Sequence, residues 1–284
     1  MKRIEIEGRQ RGRRRLRTTF LAAAITACGI AMPDASNATP STTYWSPATT
    51  YIQPFGVLHI TYDTYFRENA LYPIDTGLEV GILPFDKLQM EVGFDFFMPI
   101  NKSAGDPYDF PIVFNAKVGA PDNAYFDGSP AWSFGFFGLG LEHDVTDQNA
   151  LHFEISRTFE SFGTPTIGLY YGTNEDLFKS HTGDTEPLGF MAAYTSPNID
   201  TKDVIPGLDH LNLTWDIQSG RNALGATGAG IVAYFTPAID LITGPVWFFD
   251  NDVQPGADPW MWTVQVDIDI DVFSKLKGEA PAAE

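Results

Sequence analysis

From about Tyr51 onward, apolar and polar residues exchange places at nearly every step, and this period of two restricts the fold more than any other feature. A period of two puts alternate side chains on opposite faces of a β-strand. In 88–96, Leu88, Met90, Val92, Phe94 and Phe96 take one side while Gln89, Glu91, Gly93 and Asp95 take the other. The same split separates Leu58, Ile60, Tyr62 and Phe66 from His59, Thr61 and Asp63. Near the C-terminus it separates Trp262, Val264, Val266, Ile268, Ile270 and Val272 from Thr263, Gln265, Asp267, Asp269 and Asp271. Continued along the chain, the pattern predicts about twelve strands, near 57–66, 76–83, 88–98, 110–119, 131–141, 150–159, 166–172, 187–195, 208–219, 224–235, 239–249 and 261–272. Turn signals fall between them, among them Pro84-Phe85-Asp86-Lys87, Phe162-Gly163-Thr164-Pro165, Gly220-Arg221-Asn222 and Thr236-Pro237-Ala238.

Two architectures bury one apolar face of every such strand: a sandwich folded on itself, or a closed barrel turned toward lipid. The polar faces separate them. A soluble sandwich shows water a surface rich in Lys, Thr and Glu, with Lys blunting its edges. Here the polar face holds Gly, Asn, Gln, Ser, Asp and Glu and almost no Lys, which suits an enclosed wet lumen. The strand lengths match those of tilted transmembrane strands. Aromatic residues gather where strands meet loops, at Tyr65-Phe66, Phe96-Phe97, Trp132 and Phe134, Tyr170-Tyr171, Trp247 to Phe249, and Trp260 and Trp262, as interfacial girdles would. No run in the mature chain reaches eighteen apolar residues, so a membrane-spanning helix is not expected. The expected fold class is all-β, a closed antiparallel up-and-down transmembrane β-barrel over residues 57–273.

The N-terminus names a compartment. Eight of the 18 basic residues precede position 18, and the apolar run Phe20 to Met32 follows them, then Pro33 and small residues. That order is a secretory signal, with cleavage expected after Ala38, so residues 1–38 are assigned to it. Ile25-Thr26-Ala27-Cys28 also resembles a lipobox, which would make an acylated Cys28 the mature N-terminus. Removing 1–38 leaves an acidic excess of roughly 23 charges. A pI near 4.5 argues against a nucleic-acid partner, and a single Cys rules out a disulfide scaffold. Residues 39–56, rich in Ser, Thr and Pro, read as a disordered periplasmic lead in preference to an inward plug, and 274–284 as a periplasmic tail.

The stretch Thr76-Gly77-Leu78-Glu79-Val80-Gly81-Ile82-Leu83-Pro84-Phe85-Asp86-Lys87-Leu88-Gln89-Met90-Glu91-Val92-Gly93-Phe94 resembles the tight hairpins of small porin-like barrels of Gram-negative outer membranes, including the transporter group linked to phenol degradation. The likeness is one of pattern over roughly 55–273 and brings no active-site motif. It implies the outer membrane as location, lipid as surroundings and passive passage of small solutes. The chain departs from such barrels at its end, where Phe273 is out of phase with the apolar face and precedes the tail.

The lumen side would hold Asp63, Glu79, Glu91, Asp95, Glu154, Asp216, Asp267, Asp269 and Asp271, with Lys117 as the basic counterpart. Carboxylates ringing a narrow pore favour cations; the plainer alternative is that these are solvated positions. Twelve strands fall between a filled eight-stranded barrel and an open channel of sixteen, so the lumen is expected to be narrow or plugged. His59, His152 and His210 share the polar phase with Asp63, Glu154 and Asp216, but without the spacing of a metal site. The acidic loop Phe249-Asp250-Asn251-Asp252 with Asp258 lacks the Gly and Glu of a calcium loop and reads as solvated. No nucleophile elbow is present, and His152 and Ser156 lie on one strand too far apart for direct proton transfer. Neither enzyme activity nor a cofactor is expected. The competing readings are a closed structural barrel whose loops 173–186 and 250–260 meet a protein partner, and a soluble secreted β-sandwich.

Overall fold

The computed structural model describes residues 42–70, 73–99 and 111–272. The expected signal segment 1–38 with Cys28, and the tail 274–284 with Phe273, lie outside them.

The strands are β1 (Val57–Phe66), β2 (Pro73–Gly81), β3 (Gln89–Pro99), β4 (Ile112–Ala120), β5 (Ala131–Gly140), β6 (Ala150–Ser156), β7 (Thr164–Gly172), β8 (Leu188–Thr195), the two-residue β9 (Ile199–Asp200), β10 (His210–Gln218), β11 (Ala226–Thr236), β12 (Ile239–Phe248) and β13 (Trp260–Asp271). Each long strand pairs antiparallel with its neighbours in chain order, β10 bridging β8 and β11. The ladder closes where β1 pairs β13, Val57 opposite Asp271 and Phe66 opposite Trp262. Twelve long strands thus form a closed antiparallel barrel, while β9 only adds a short edge to β10. Closure satisfies every sheet edge internally, as a lipid setting requires.

Burial is inverted relative to a soluble globule. In β6, Ala150, His152, Glu154 and Ser156 are buried while Leu151, Phe153 and Ile155 are exposed, without interruption. On β1, His59 and Asp63 face in while Tyr62 and Phe66 face out. Ile167 and Leu188 are each 66% exposed and Glu154 and Asp216 each 0%, so the apolar face is the outer one. That arrangement excludes the sandwich, in which the apolar faces would meet. Phe66, Phe134, Tyr171, Trp247, Phe249, Trp260 and Trp262 stand on the exterior. The expected girdles are thinner than the sequence clusters, because the pleat sends adjacent residues to opposite sides. Tyr65 and Phe97 line the interior, and Tyr170 is 1% exposed.

Residues 42–56, for which the sequence favoured a disordered periplasmic lead, run through the barrel interior. An extended chain enclosed there must find partners for its amide groups. Trp45 N–H and Ser46 N–H both donate to Asp216 Oδ2 at 2.7 Å, and Gln53 N–H donates to Glu91 Oε2 at 2.6 Å. Gln265 Nε2 donates to the carbonyl of Tyr44, and Ser133 Oγ to that of Thr49. Two apolar patches on the inner wall receive its side chains. Tyr44 packs among Ala226, Val232, Tyr234, Ile242, Val246 and Met261, and Ala48 among Ala150, Tyr170, Phe178 and Met191. Gly228, Gly230 and Gly244 leave the room for the Tyr44 ring. A Cβ on Gly230 would lie 2.6 Å from Tyr44 Cε2, one on Gly244 2.6 Å from its hydroxyl, and one on Gly228 would also overlap the ring. Fully burying an aromatic side chain contributes on the order of 2–3 kcal/mol.

At the end away from Val57, the loops hold one another. Asn69 Nδ2 donates to Asp258 Oδ1 at 2.7 Å, Gln254 Nε2 to the carbonyl of Ala223, and Arg221 Nε to Glu186 Oε1 at 2.9 Å. His181 Nδ1 lies 2.9 Å from Asp250 Oδ2. Asp250 and Asp258 are buried, so the acidic loop expected to be solvated serves instead as a tie between loops.

Candidate functional site

Register places the inward residues in rungs around the wall. One rung runs Tyr234, Asp240, Asp267, Thr61, Gly77, Asp95 and Val113, from β11 round to β4. The next carries Asp269, His59, Glu79, Gly93 and Asn115. A third brings together Glu91, Lys117, Gly135, His152 and Tyr170. Side chains that face the same way on directly opposed residues lie within interaction distance, and like charges there repel.

Residues 42–47 and this wall bound a partly open cavity of about 410 Å³. Of the sequence-predicted residues, Asp63, Glu79, Glu91, Asp95, Asp267 and Lys117 line it. Lys117 Nζ pairs with Glu91 Oε1 at 3.2 Å, and Glu91 also holds the amide of Gln53. Asp63 accepts from Thr61 Oγ1 and Tyr65 OH, and Asp95 accepts from Asn115 Nδ2 at 3.0 Å. The remaining four are placed differently. Asp216 is fully buried against the segment. Glu154 is fully buried between Ser133 Oγ at 2.6 Å and His152 Nδ1 at 2.6 Å. Asp269 holds His59 Nδ1 at 2.8 Å, and Asp271 stands opposite Val57 at the end of the ladder.

Two carboxylates of this region escaped the sequence reading. Asp75 lines the cavity but sits one position before the expected start of its strand. Asp240 is 0% exposed opposite Asp267, on a strand whose inner face is otherwise apolar, so alternation gave it no weight.

The three luminal histidines do not converge. His59 lies between Asp267 Oδ1, 3.4 Å from Nε2, and Asp269; His152 bonds Glu154; His210 bonds Asp209 and stacks on Tyr234 at 4.2 Å. Among the described residues, sets of three donors close enough to share an ion occur on loops instead, at His143, Asp144 and Asp147 and at His181, Asp250 and Asp252. Ser156 Oγ meets Thr50 Oγ1 at 2.5 Å while His152 is held by Glu154, so that Ser and His form no nucleophile–base pair.

No protein-family profile matches the chain, and no curated protein matches it. Among solved structures, it is similar to the NanC porin, with 10% identity, 74% of this chain and 100% of that chain covered, and a TM-score of 0.45. An outer membrane channel from Pseudomonas putida F1 gives 11% identity, coverage of 79% and 99%, and a TM-score of 0.41. OmpF of Salmonella typhi gives 8% identity, coverage of 75% and 96%, and a TM-score of 0.37.

Proposed function

We propose that the chain is a porin-like channel of the Gram-negative outer membrane, exported behind residues 1–38, that passes small solutes passively and prefers cations. The observation that carries this reading is the charge of the luminal cavity. Six carboxylates, Asp63, Asp75, Glu79, Glu91, Asp95 and Asp267, line it and outnumber the basic side chains Arg67, Lys117 and His59, of which Lys117 is paired with Glu91 and His59 with Asp267 and Asp269. A wall of this sign, shielded from bulk water, concentrates cations and repels anions. The apolar exterior supports lipid as the surrounding medium.

A closed structural barrel is the second reading, and a specific observation favours it: residues 42–56 are hydrogen-bonded to the wall on several strands. Single-channel recording in a planar bilayer separates the two. A steady current with a cation-biased reversal potential is expected of the channel; a folded barrel that stays silent fits the closed form. Neutralising Asp267, Asp269 and Asp271 together to Asn is expected to lower the cation bias. An unchanged reversal potential would overturn the assignment of selectivity to these residues.

A further inference from the structure

The cavity has an acidic side on which carboxylates outnumber the basic side chains Arg67 and His59 that share it. Asp63 on β1 and Asp75 on β2 are register partners, and Asp95 on β3 follows across Gly77, which puts no side chain between them. Among the described residues, no ion pair joins any of these three to a basic side chain. Asp267 approaches the same cavity from β13. It is 2% exposed; its Oδ1 lies 3.4 Å from His59 Nε2, and its Oδ2 has no hydrogen-bond partner among the described residues. Aromatic rings share this space: Trp45 and Tyr65 meet edge to face with centroids 6.1 Å apart, and Phe97 is the register partner of Asp75.

Carboxylates held near one another in a wall repel, and a bound positive charge relieves that cost. The form of the site indicates which charge. A hard metal ion needs several oxygens converging on one point. The luminal acids are spread around a space, whereas the convergent donor sets lie on the loops. A cavity of about 410 Å³ is instead the size of a small-molecule site, and carboxylates beside aromatic faces are the surroundings that an ammonium group on an apolar body prefers.

We propose that this cavity binds a small organic monocation, an alkyl- or arylammonium, with its charge toward Asp63, Asp75, Asp95 and Asp267 and its apolar body against Trp45, Tyr65 and Phe97. The proposal rests on the cation-preferring reading of the lumen. Titration calorimetry of the folded barrel in detergent tests it, with benzylammonium as probe, benzyl alcohol as its neutral counterpart and KCl as competitor. Saturable binding of benzylammonium is expected, weakened about ten-fold by Asp75→Asn and several-fold by Phe97→Leu, with benzyl alcohol at least about ten-fold weaker. Equal binding of benzyl alcohol, or displacement by K⁺ at the same concentration as the amine, overturns the proposal, as does an affinity untouched by both substitutions. Heat-modifiable mobility checks that each variant is a closed barrel. Calorimetry needs no ion flow, so a silent bilayer refutes the channel and leaves the site standing. Cation-biased current without benzylammonium binding refutes the site alone.

Discussion

The backbone amide of Trp45 donates to Asp216 Oδ2 at 2.7 Å across 171 residues of chain, and the amide and hydroxyl of Ser46 reach the same oxygen at 2.7 and 3.1 Å. One carboxylate oxygen on β10 therefore fixes the early part, residues 45 and 46, of the segment that crosses the lumen. Replacing Asp216 with Ala strands two enclosed N–H groups, each costing about 1–3 kcal/mol. Asp216→Ala is expected to free residues 42–56, seen as faster proteolysis within them and larger unit conductance. Asp216→Asn, which keeps an acceptor, is expected to fall between. Identical cleavage rates in all three proteins would show that the anchor lies elsewhere.

Gly228 offers a second handle on the same segment. Its nearest neighbour is the ring of Tyr44, so the methyl of Gly228→Ala overfills the contact at a cost of about 1–3 kcal/mol. In a Tyr44→Ala background the same methyl is expected to cost little. A double-mutant cycle on unfolding in urea gives the coupling. Additive effects would mean that Gly228 is required by its own strand and not by the ring.

The pair Lys117 and Glu91 is enclosed, at 4% and 2% exposure. Removing one member of such a pair leaves a charge without compensation, worth about 3–5 kcal/mol. Lys117→Met is expected to lower the temperature of the heat-modifiable transition sharply, whereas Lys179→Met, on an exposed pair with Asp176, is expected to leave it within experimental error.

The loop tie between His181 and Asp250 carries a pH dependence of known sign. The hydrogen bond to Asp250 raises the His181 pKa above its ordinary value against desolvation, with Asp252 adding to the rise and Arg221 opposing it. Burial pushes the Asp250 carboxyl up, but the bonds from the His181 backbone and ring outweigh it and hold the carboxyl below its ordinary value. A raised imidazole contributes fully below about pH 6.5 and is lost as pH climbs through its folded value; a lowered carboxyl contributes fully above about pH 4 and is lost as pH falls through its folded value. The tie is thus strongest between those limits. Hydrogen exchange in 173–187 and 249–259, corrected for intrinsic rates, is expected to quicken above the window, and His181→Gln to remove that rise. The same pH profile in the variant would count against the tie.

The wall was legible wherever its inner face is polar. Strands near β1, β6 and β13 alternate cleanly, and their expected limits fall within a few residues of those observed. The pattern fades in β11 and β12, where Val232, Ile242, Val246 and Phe248 are apolar and inward. The cause is Tyr44: this part of the wall faces a side chain and not water, so both faces of the strands are apolar. The same fact hid the placement of 42–56. Ser, Thr and Pro make that stretch look solvated, and its order comes from Asp216 and Glu91, which are remote in sequence. For the same reason the sequence did not show that Asp216 and Glu91 hold the segment or that Glu154 is engaged by Ser133 and by His152, two residues away on its own strand.

The nest of Gly228, Gly230 and Gly244 around Tyr44 bears on how the molecule comes into being. Residue 44 precedes the first strand in the chain, yet its ring is clasped by β11 and β12, so the seat it occupies exists only once that late part of the wall has formed. Ordering of the segment is therefore tied to completion of the β11–β12 hairpin, whichever strands pair first elsewhere.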